Sequence, residues 1–253
     1  MIAYDLVCTA VSERADLFAE SIDSLLRHLD QWPARLIVHE DVRPGSEAGA
    51  IEAWLNARGV PFVHRVTSPS RGMGPATVWC MDQPTTPIVL YTQEDWRAIR
   101  AIPVADALAL MQTENLHHIR FNKRKTMRAK HADTDHPWQK VEKLIGGHML
   151  CVSDHWYTQT SLWRVDAALP NLRAAASQVA TSEGFVARFN DLQNTTYGDG
   201  KREWHDQAMR HDRLRTYIWG GIGEPKYIEH LGSHRGTGTI KDHLAEQKRG
   251  DAP

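Results

Sequence analysis

The sequence predicts an α/β fold: a mainly parallel sheet covered on both faces by helices, with a less regular C-terminal half. Three observations predict it. Short apolar β-type runs alternate with stretches of helical apolar spacing from residue 4 to about residue 100. The turns between them are short and carry Pro, Gly and Ser, as the connections of βα units do. The fourth such run, Pro87 to Thr92, is apolar and then breaks into Gln93-Glu94-Asp95-Trp96. A buried strand that delivers carboxylates at its C-terminal edge is how open α/β sheets present groups to a ligand.

Tyr4 to Val11 reads as the first strand, with Ser12 offered as a helix N-cap and Leu17, Phe18, Ser21, Ile22, Leu25, Leu26 and Leu29 recurring at helical spacing. Arg35 to His39 is a second strand ending in Glu40-Asp41. A Pro44-Gly45-Ser46 turn then leads to a helix bearing Ile51, Trp54 and Leu55 that stops at Gly59. Pro61 to Val66 gives a third strand, Ser68 to Gly74 a loop, Pro75 to Met81 a short helix, and Pro87 to Thr92 the fourth strand. Further on, Val104 to Met111 reads as helix and His117 to Phe121 as strand, while Asn122 to Lys140 is polar and basic and reads as a loop. Met149 to Val152 reads as strand, Ser161 to Leu169 and Ser182 to Leu192 as helices, and Arg215 to Trp219 and Lys226 to His230 as strands. With no repeat and no linker-like stretch, residues 1–253 read as one domain. Residues 1–100 form its first half, 101–235 its second, and 236–253 a charged, loosely held tail.

Composition narrows the class. The chain has 253 residues, 42% hydrophobic and 24% charged, enough apolar material for a sizeable core and too much for a disordered chain. No run approaches the roughly 18 apolar residues of a membrane span, and the N-terminus lacks the basic flank and apolar centre of a signal peptide. A soluble, cytoplasmic protein is the expectation. Cys8, Cys80 and Cys151 are far apart in apolar surroundings, which suits buried thiols better than a disulfide framework. The formal net charge is −1, so indiscriminate nucleic-acid binding is not expected. The 14 histidines show no HExxH or finger spacing. A GxGxxG fingerprint, a P-loop and a GxSxG elbow are also absent.

The order of short motifs resembles the GT-A-fold glycosyltransferases, in particular family-2-like enzymes that use nucleotide-sugar donors. The matching pieces are Cys8 to Arg14, where the first strand leads into a turn and helix, Glu40-Asp41 at the end of the second, Arg71 to Thr77, a Gly-containing loop that opens a helix, Gln93-Glu94-Asp95-Trp96 after the fourth strand, and His230-Leu231-Gly232 late in the chain. The resemblance implies a GT-A-like, Rossmann-like sheet and transfer of a sugar to an acceptor hydroxyl, assisted by a divalent metal, Mn²⁺ or Mg²⁺. It implies Asp95 and His230 as metal ligands, and Thr9, Val11, Glu40, Arg71, Gln93 and Glu94 as donor contacts. Hard carboxylate oxygens suit either ion, and an imidazole is more readily accepted by Mn²⁺. Such an ion counters the charge that develops on a nucleoside diphosphate leaving group. Gln93 departs from the pattern, standing where many relatives have an acid. The family often places its catalytic base at a helix start in the second half; Glu183 fits that place, with Asp154 as its rival.

Five Lys/Arg lie between Asn122 and His131, among them Lys123, Arg124, Lys125 and Arg128, and Trp156 follows among other aromatics. Basic residues interleaved with aromatics suit a polyanionic acceptor such as DNA, or sugar faces on which rings stack. Enzymes that glycosylate hydroxymethylated bases in phage DNA are one compatible class and transferases acting on surface glycans the other. Two rivals stand beside these: a non-catalytic nucleotide- or nucleic-acid-binding α/β protein, then a nucleotidyltransferase. The latter normally carries a Gly-rich loop directly after its first strand, where this chain has Val11-Ser12-Glu13.

Overall fold

The structure is a computed structural model that describes residues 2–43, 45–123, 142–153, 156, 158–179, 182–197 and 215–231. Along the chain run β1 (Asp5–Val11), α1 (Ala15–His28), β2 (Leu36–Asp41), α2 (Ala50–Arg58), β3 (Phe62–Thr67), α3 (Met73–Asp82), β4 (Ile88–Gln93) and β5 (Trp96–Ala98). Then come α4 (Val104–Thr113), β6 (His118–Arg120), β7 (Glu142–Ile145), β8 (His148–Val152), β9 (Ser161–Arg164), α5 (Val165–Gln178), α6 (Ser182–Tyr197), β10 (Thr216–Trp219) and β11 (Ile228–His230).

The main sheet has nine strands in the order β3-β2-β1-β4-β9-β6-β10-β8-β7. Its first four strands are all parallel; β9 then enters antiparallel between β4 and β6. Side-chain alternation explains why β1 and β4 read as apolar runs. Leu6, Cys8 and Ala10 of β1 and Ile88 and Leu90 of β4 face one core with α1 and α4, while Val7, Val89 and Tyr91 face a second core with α3, α5 and α6. Beyond the main sheet, β5 and β11 form a separate two-stranded antiparallel ribbon.

Besides β5 and β7, which the sequence did not predict, two stretches depart from the expectation. Ser161 to Arg164 is a strand rather than the start of a helix, because Leu162 and Trp163 fill the slot between β4 and β6. The helix begins only at Val165 and continues through Pro170, where packing against α3 outweighs a missing N–H. Ser12 does not cap a helix. It opens a 3-10 turn, Ser12–Arg14, and its hydroxyl donates to Glu40 instead. Among the described residues no helix is long and apolar enough to cross a membrane. The tail 236–253 lies outside the described residues.

Candidate active site

The acidic motif is a two-residue turn, Glu94-Asp95, through which the chain leaves the main sheet at the end of β4 and enters the small ribbon at β5. Two serines on the buried face of α1 hold that exit: Ser21 Oγ donates to the Trp96 carbonyl and Ser24 Oγ accepts from the Ala98 amide at 3.0 Å. The polar interruptions in an otherwise apolar helix face thus find their use, since a buried hydroxyl needs a partner. The ribbon in turn fixes the far end of the chain. β11 pairs with β5 so that His230 lies opposite Trp96, and the Leu231 amide donates to the Asp95 carbonyl at 2.7 Å. His230 Nε2 therefore stands 2.9 Å from Asp95 Oδ2, across 135 positions of sequence.

A cation closes the group. Strands β1 and β4 are neighbours with Thr9 beside Gln93, so the 3-10 turn after β1 places Arg14 against the acidic turn. Its Nη1 lies 3.2 Å from Glu94 Oε1 and 3.5 Å from Asp95 Oδ2. Burial pushes the Glu94 carboxyl up to about 7, the Asp95 charge adds to the rise, and hydrogen bonding with its own amide and the Arg14 charge oppose it. Trp96 packs its ring on His230 at 4.7 Å between centroids, and Lys123 Nζ lies 5.2 Å from the centroid of the same ring. The Asn122 carbonyl brings Lys123 there by accepting from the Tyr227 amide at 2.8 Å, just before β11.

The residues present fit a hard divalent ion. Asp95 Oδ1 is buried and has no hydrogen-bond partner among the described residues, which is costly for a carboxylate oxygen unless something positive meets it. The other oxygen, Oδ2, is the one that meets His230 Nε2. Among the described residues no group of three or more His, Cys, Asp or Glu is placed to hold an ion. One or two protein groups, completed by phosphate oxygens and water, are the usual holding of a nucleotide-bound Mg²⁺.

The remaining donor candidates separate into available and enclosed. Gln93 is half-buried and its amide reaches Met73 Sδ at 3.6 Å, which sets the loop of Arg71, Gly72 and Met73 beside the acidic turn. Arg71 is exposed on that loop and Val11 half-buried at the end of β1. Thr9 is buried, its hydroxyl 3.2 Å from that of Tyr91. Glu40 corrects the expectation. It is 0% exposed, Ser12 donates to one oxygen at 2.7 Å and His64 holds the other at 3.0 Å, so its carboxylate has no face left for a nucleotide. Its neighbour Asp41 ties down the donor-side loop: Ser70 Oγ donates to Oδ2 at 2.9 Å and the Gly72 amide to the same oxygen at 3.1 Å.

Glu183 lies in the first turn of α6, and Asp154 lies outside the described residues. The first half of α6 adjoins the first turn of α3 through Phe185, since a Cβ added at Gly74 would stand 3.0 Å from that ring. On the acceptor side, Lys123 is beside the site, and Arg124, Lys125 and Arg128 lie outside the described residues. Trp156 is a second correction. It is 1% exposed, with His118 stacked on it at 5.0 Å and Trp163 and Phe189 edge-on at 5.3 and 5.7 Å, so its faces are spent on the core. From sequence, Arg14 was placed in the turn after the first strand and given no role in the site. The signal available was that β1 and β4 are neighbours in such sheets, which sets the turn after one against the turn after the other.

No protein-family model matches the chain, and no curated protein matches it. Solved structures do. TarS from S. aureus superposes with a TM-score of 0.55 at 11% identity, over 91% of this chain and 37% of that one. TarS residues 1–349 in complex with UDP gives 0.52 at 12%, over 89% and 60%. The mannosyltransferase PcManGT from Pyrobaculum calidifontis, in complex with GDP-Man and Mn²⁺, gives 0.54 at 14%, over 100% and 66%. The chain thus spans between 37% and 66% of the length of these proteins. At such identities the likeness is one of fold, and the fold is the GT-A type.

Proposed function

We propose that the chain is a glycosyltransferase that takes a nucleotide-sugar donor at the end of β4, with a divalent ion assisting. The observation that carries this is the convergence of Asp95 and His230 at the point where the chain leaves the main sheet, with one buried Asp95 oxygen still unmet. Structures of the same fold were solved with UDP and with GDP-Man and Mn²⁺, which supports a nucleotide-sugar donor and a divalent cation as ligands. In this reading Asp95 and His230 hold the ion, which would supply positive charge to the departing diphosphate. Glu94, Gln93, Arg71 and Val11 line the donor, and Asp41 keeps the Arg71 loop in register with it. Glu183 is the proposed base that takes the acceptor proton, and Asp154 the alternative.

For the acceptor we favour a polyanion, DNA being one, because Lys123 brings the head of the basic stretch to the Trp96 ring beside Asp95. Joint neutralisation of Lys123, Arg124, Lys125 and Arg128 then flattens the salt dependence of acceptor binding and leaves donor affinity unchanged, whereas a neutral glycan acceptor predicts no change in either. The function itself is tested by incubating the chain with UDP-, GDP-, CMP- and dTDP-sugars, with and without Mn²⁺, and following nucleotide release. Mn²⁺-stimulated hydrolysis of one donor class is the expected result. Release of none, with all nucleotides failing to raise thermal stability, contradicts it.

A further inference from the structure

We infer that the guanidinium of Arg14 is a resident cation at the end of β4, so that a divalent ion is bound there only in competition with it. This rests on the reading that Asp95 and His230 hold an ion. Arg14 Nη1 spans Glu94 Oε1 at 3.2 Å and Asp95 Oδ2 at 3.5 Å, and the second of these is the oxygen that also meets His230 Nε2 at 2.9 Å. The oxygen best placed to share an ion with His230 is therefore already shared with a positive charge. The contacts are long for charge-assisted hydrogen bonds, which run closer to 2.7 to 2.9 Å, and the Arg14 side chain is 28% exposed, so it has room to withdraw. A guanidinium keeps its charge at every accessible pH. It therefore offsets the acidic pair before any ion arrives and repels the ion that does. Glu94 and Asp95 face Arg14 from the acidic turn, His230 meets Asp95 from β11, and Lys123 stands over the neighbouring Trp96 ring.

Arg14 is on this account a positioning residue that sets the threshold for metal. Its removal makes the empty protein bind metal better, which a merely structural arginine does not do. The experiment titrates Mn²⁺ into the full chain without nucleotide, reading free Mn²⁺ by electron paramagnetic resonance and heat by calorimetry, for wild type, Arg14→Gln, Arg14→Lys and Asp95→Asn. Arg14→Gln is expected to bind Mn²⁺ about tenfold more tightly than wild type, and Asp95→Asn not measurably. Arg14→Lys keeps the charge on a different head and guards against loss of fold; it stays within about threefold of wild type. Equal or weaker Mn²⁺ binding by a folded Arg14→Gln overturns the inference. If Arg14→Gln does not fold, Arg14→Lys binding Mn²⁺ tenfold tighter than wild type overturns it too, because the charge is then not what competes. The two readings fail separately. Nucleotide-sugar hydrolysis lost in Asp95→Asn, with unchanged Mn²⁺ affinity in Arg14→Gln, leaves the transferase standing and removes the competition. Tighter Mn²⁺ binding in Arg14→Gln with no nucleotide bound does the reverse.

Discussion

Two strands of the sheet end in a pair of acids, β2 in Glu40-Asp41 and β4 in Glu94-Asp95, and their fates are opposite. At β2 the carboxylates are consumed by the fold: Ser12 and His64 meet Glu40, and Ser70 with the Gly72 amide meets Asp41. At β4 they meet one shared guanidinium and one imidazole, and an Asp95 oxygen stays unpartnered among the described residues. The cost of burying a carboxylate is thus covered internally at β2 and left open at β4. An acid at a strand end is not in itself a ligand site; whether its neighbours have already satisfied it decides.

The contrast breaks most visibly under substitution of Asp95. Asp95→Asn should lower transfer at least about 100-fold while its thermal melt stays near that of wild type, since the lost group serves charge placement more than packing. Glu40→Gln should do the opposite, keeping turnover within a few-fold but costing about 1 to 3 kcal/mol in urea unfolding, because it removes a buried charge-assisted hydrogen bond and replaces one accepting oxygen with a donor. Unequal effects in that direction sharpen the comparison, and equal loss of activity in both mutants breaks it.

Acid titration separates the two ends again. Burial by itself raises the Glu40 pKa, but the hydrogen bonds from His64 and Ser12 outweigh it and hold the carboxyl below its ordinary 4.5. A depressed folded pKa contributes stability that is present above the unfolded value and lost as pH falls through the folded one. Wild type should therefore lose stability on acidification below about pH 4.5, and Glu40→Gln should show a shallower loss, measured as urea midpoints across pH 3 to 6.

Smaller effects are expected at the loop between the two acid pairs. Asp41→Asn weakens the hold on residues 70–72 and should raise the donor dissociation constant several-fold with less effect on kcat. Gly74→Ala places a methyl 3.0 Å from the Phe185 ring and should cost about 1 kcal/mol as the ring shifts, read from the melt.

Much of this was visible in the residues themselves. At the sheet edge β3 is half-buried, while β1, β2 and β4 are strands buried on both faces, and such strands announce themselves as continuous apolar runs. The acidic turn was legible for the same reason, as the abrupt end of one. β5 was not, because three residues, Trp96 to Ala98, are too few to show a period, and their anchors are two serines on another helix. β9 read as helix because Leu162 and Trp163 fit either period, and only the gap between β4 and β6 decides between them. The two acid pairs look alike in sequence, since the groups that distinguish them, Ser12 and His64 at Glu40 against Arg14 at Glu94 and His230 at Asp95, come from three segments distant from either pair. Trp156 followed a basic stretch and looked like a stacking platform, but core and platform tryptophans share a composition and differ only in what covers them.

The central claim is that the end of β4 binds a nucleoside diphosphate together with a divalent ion through Asp95. Its most direct test is calorimetric titration of UDP and GDP into wild type, Asp95→Asn and Glu40→Gln, each with and without Mn²⁺. The account predicts that Mn²⁺ strengthens binding of at least one nucleotide about tenfold or more in wild type and Glu40→Gln, and that Asp95→Asn loses that gain. Mn²⁺ enhancement that survives intact in Asp95→Asn, or vanishes only in Glu40→Gln, would contradict it.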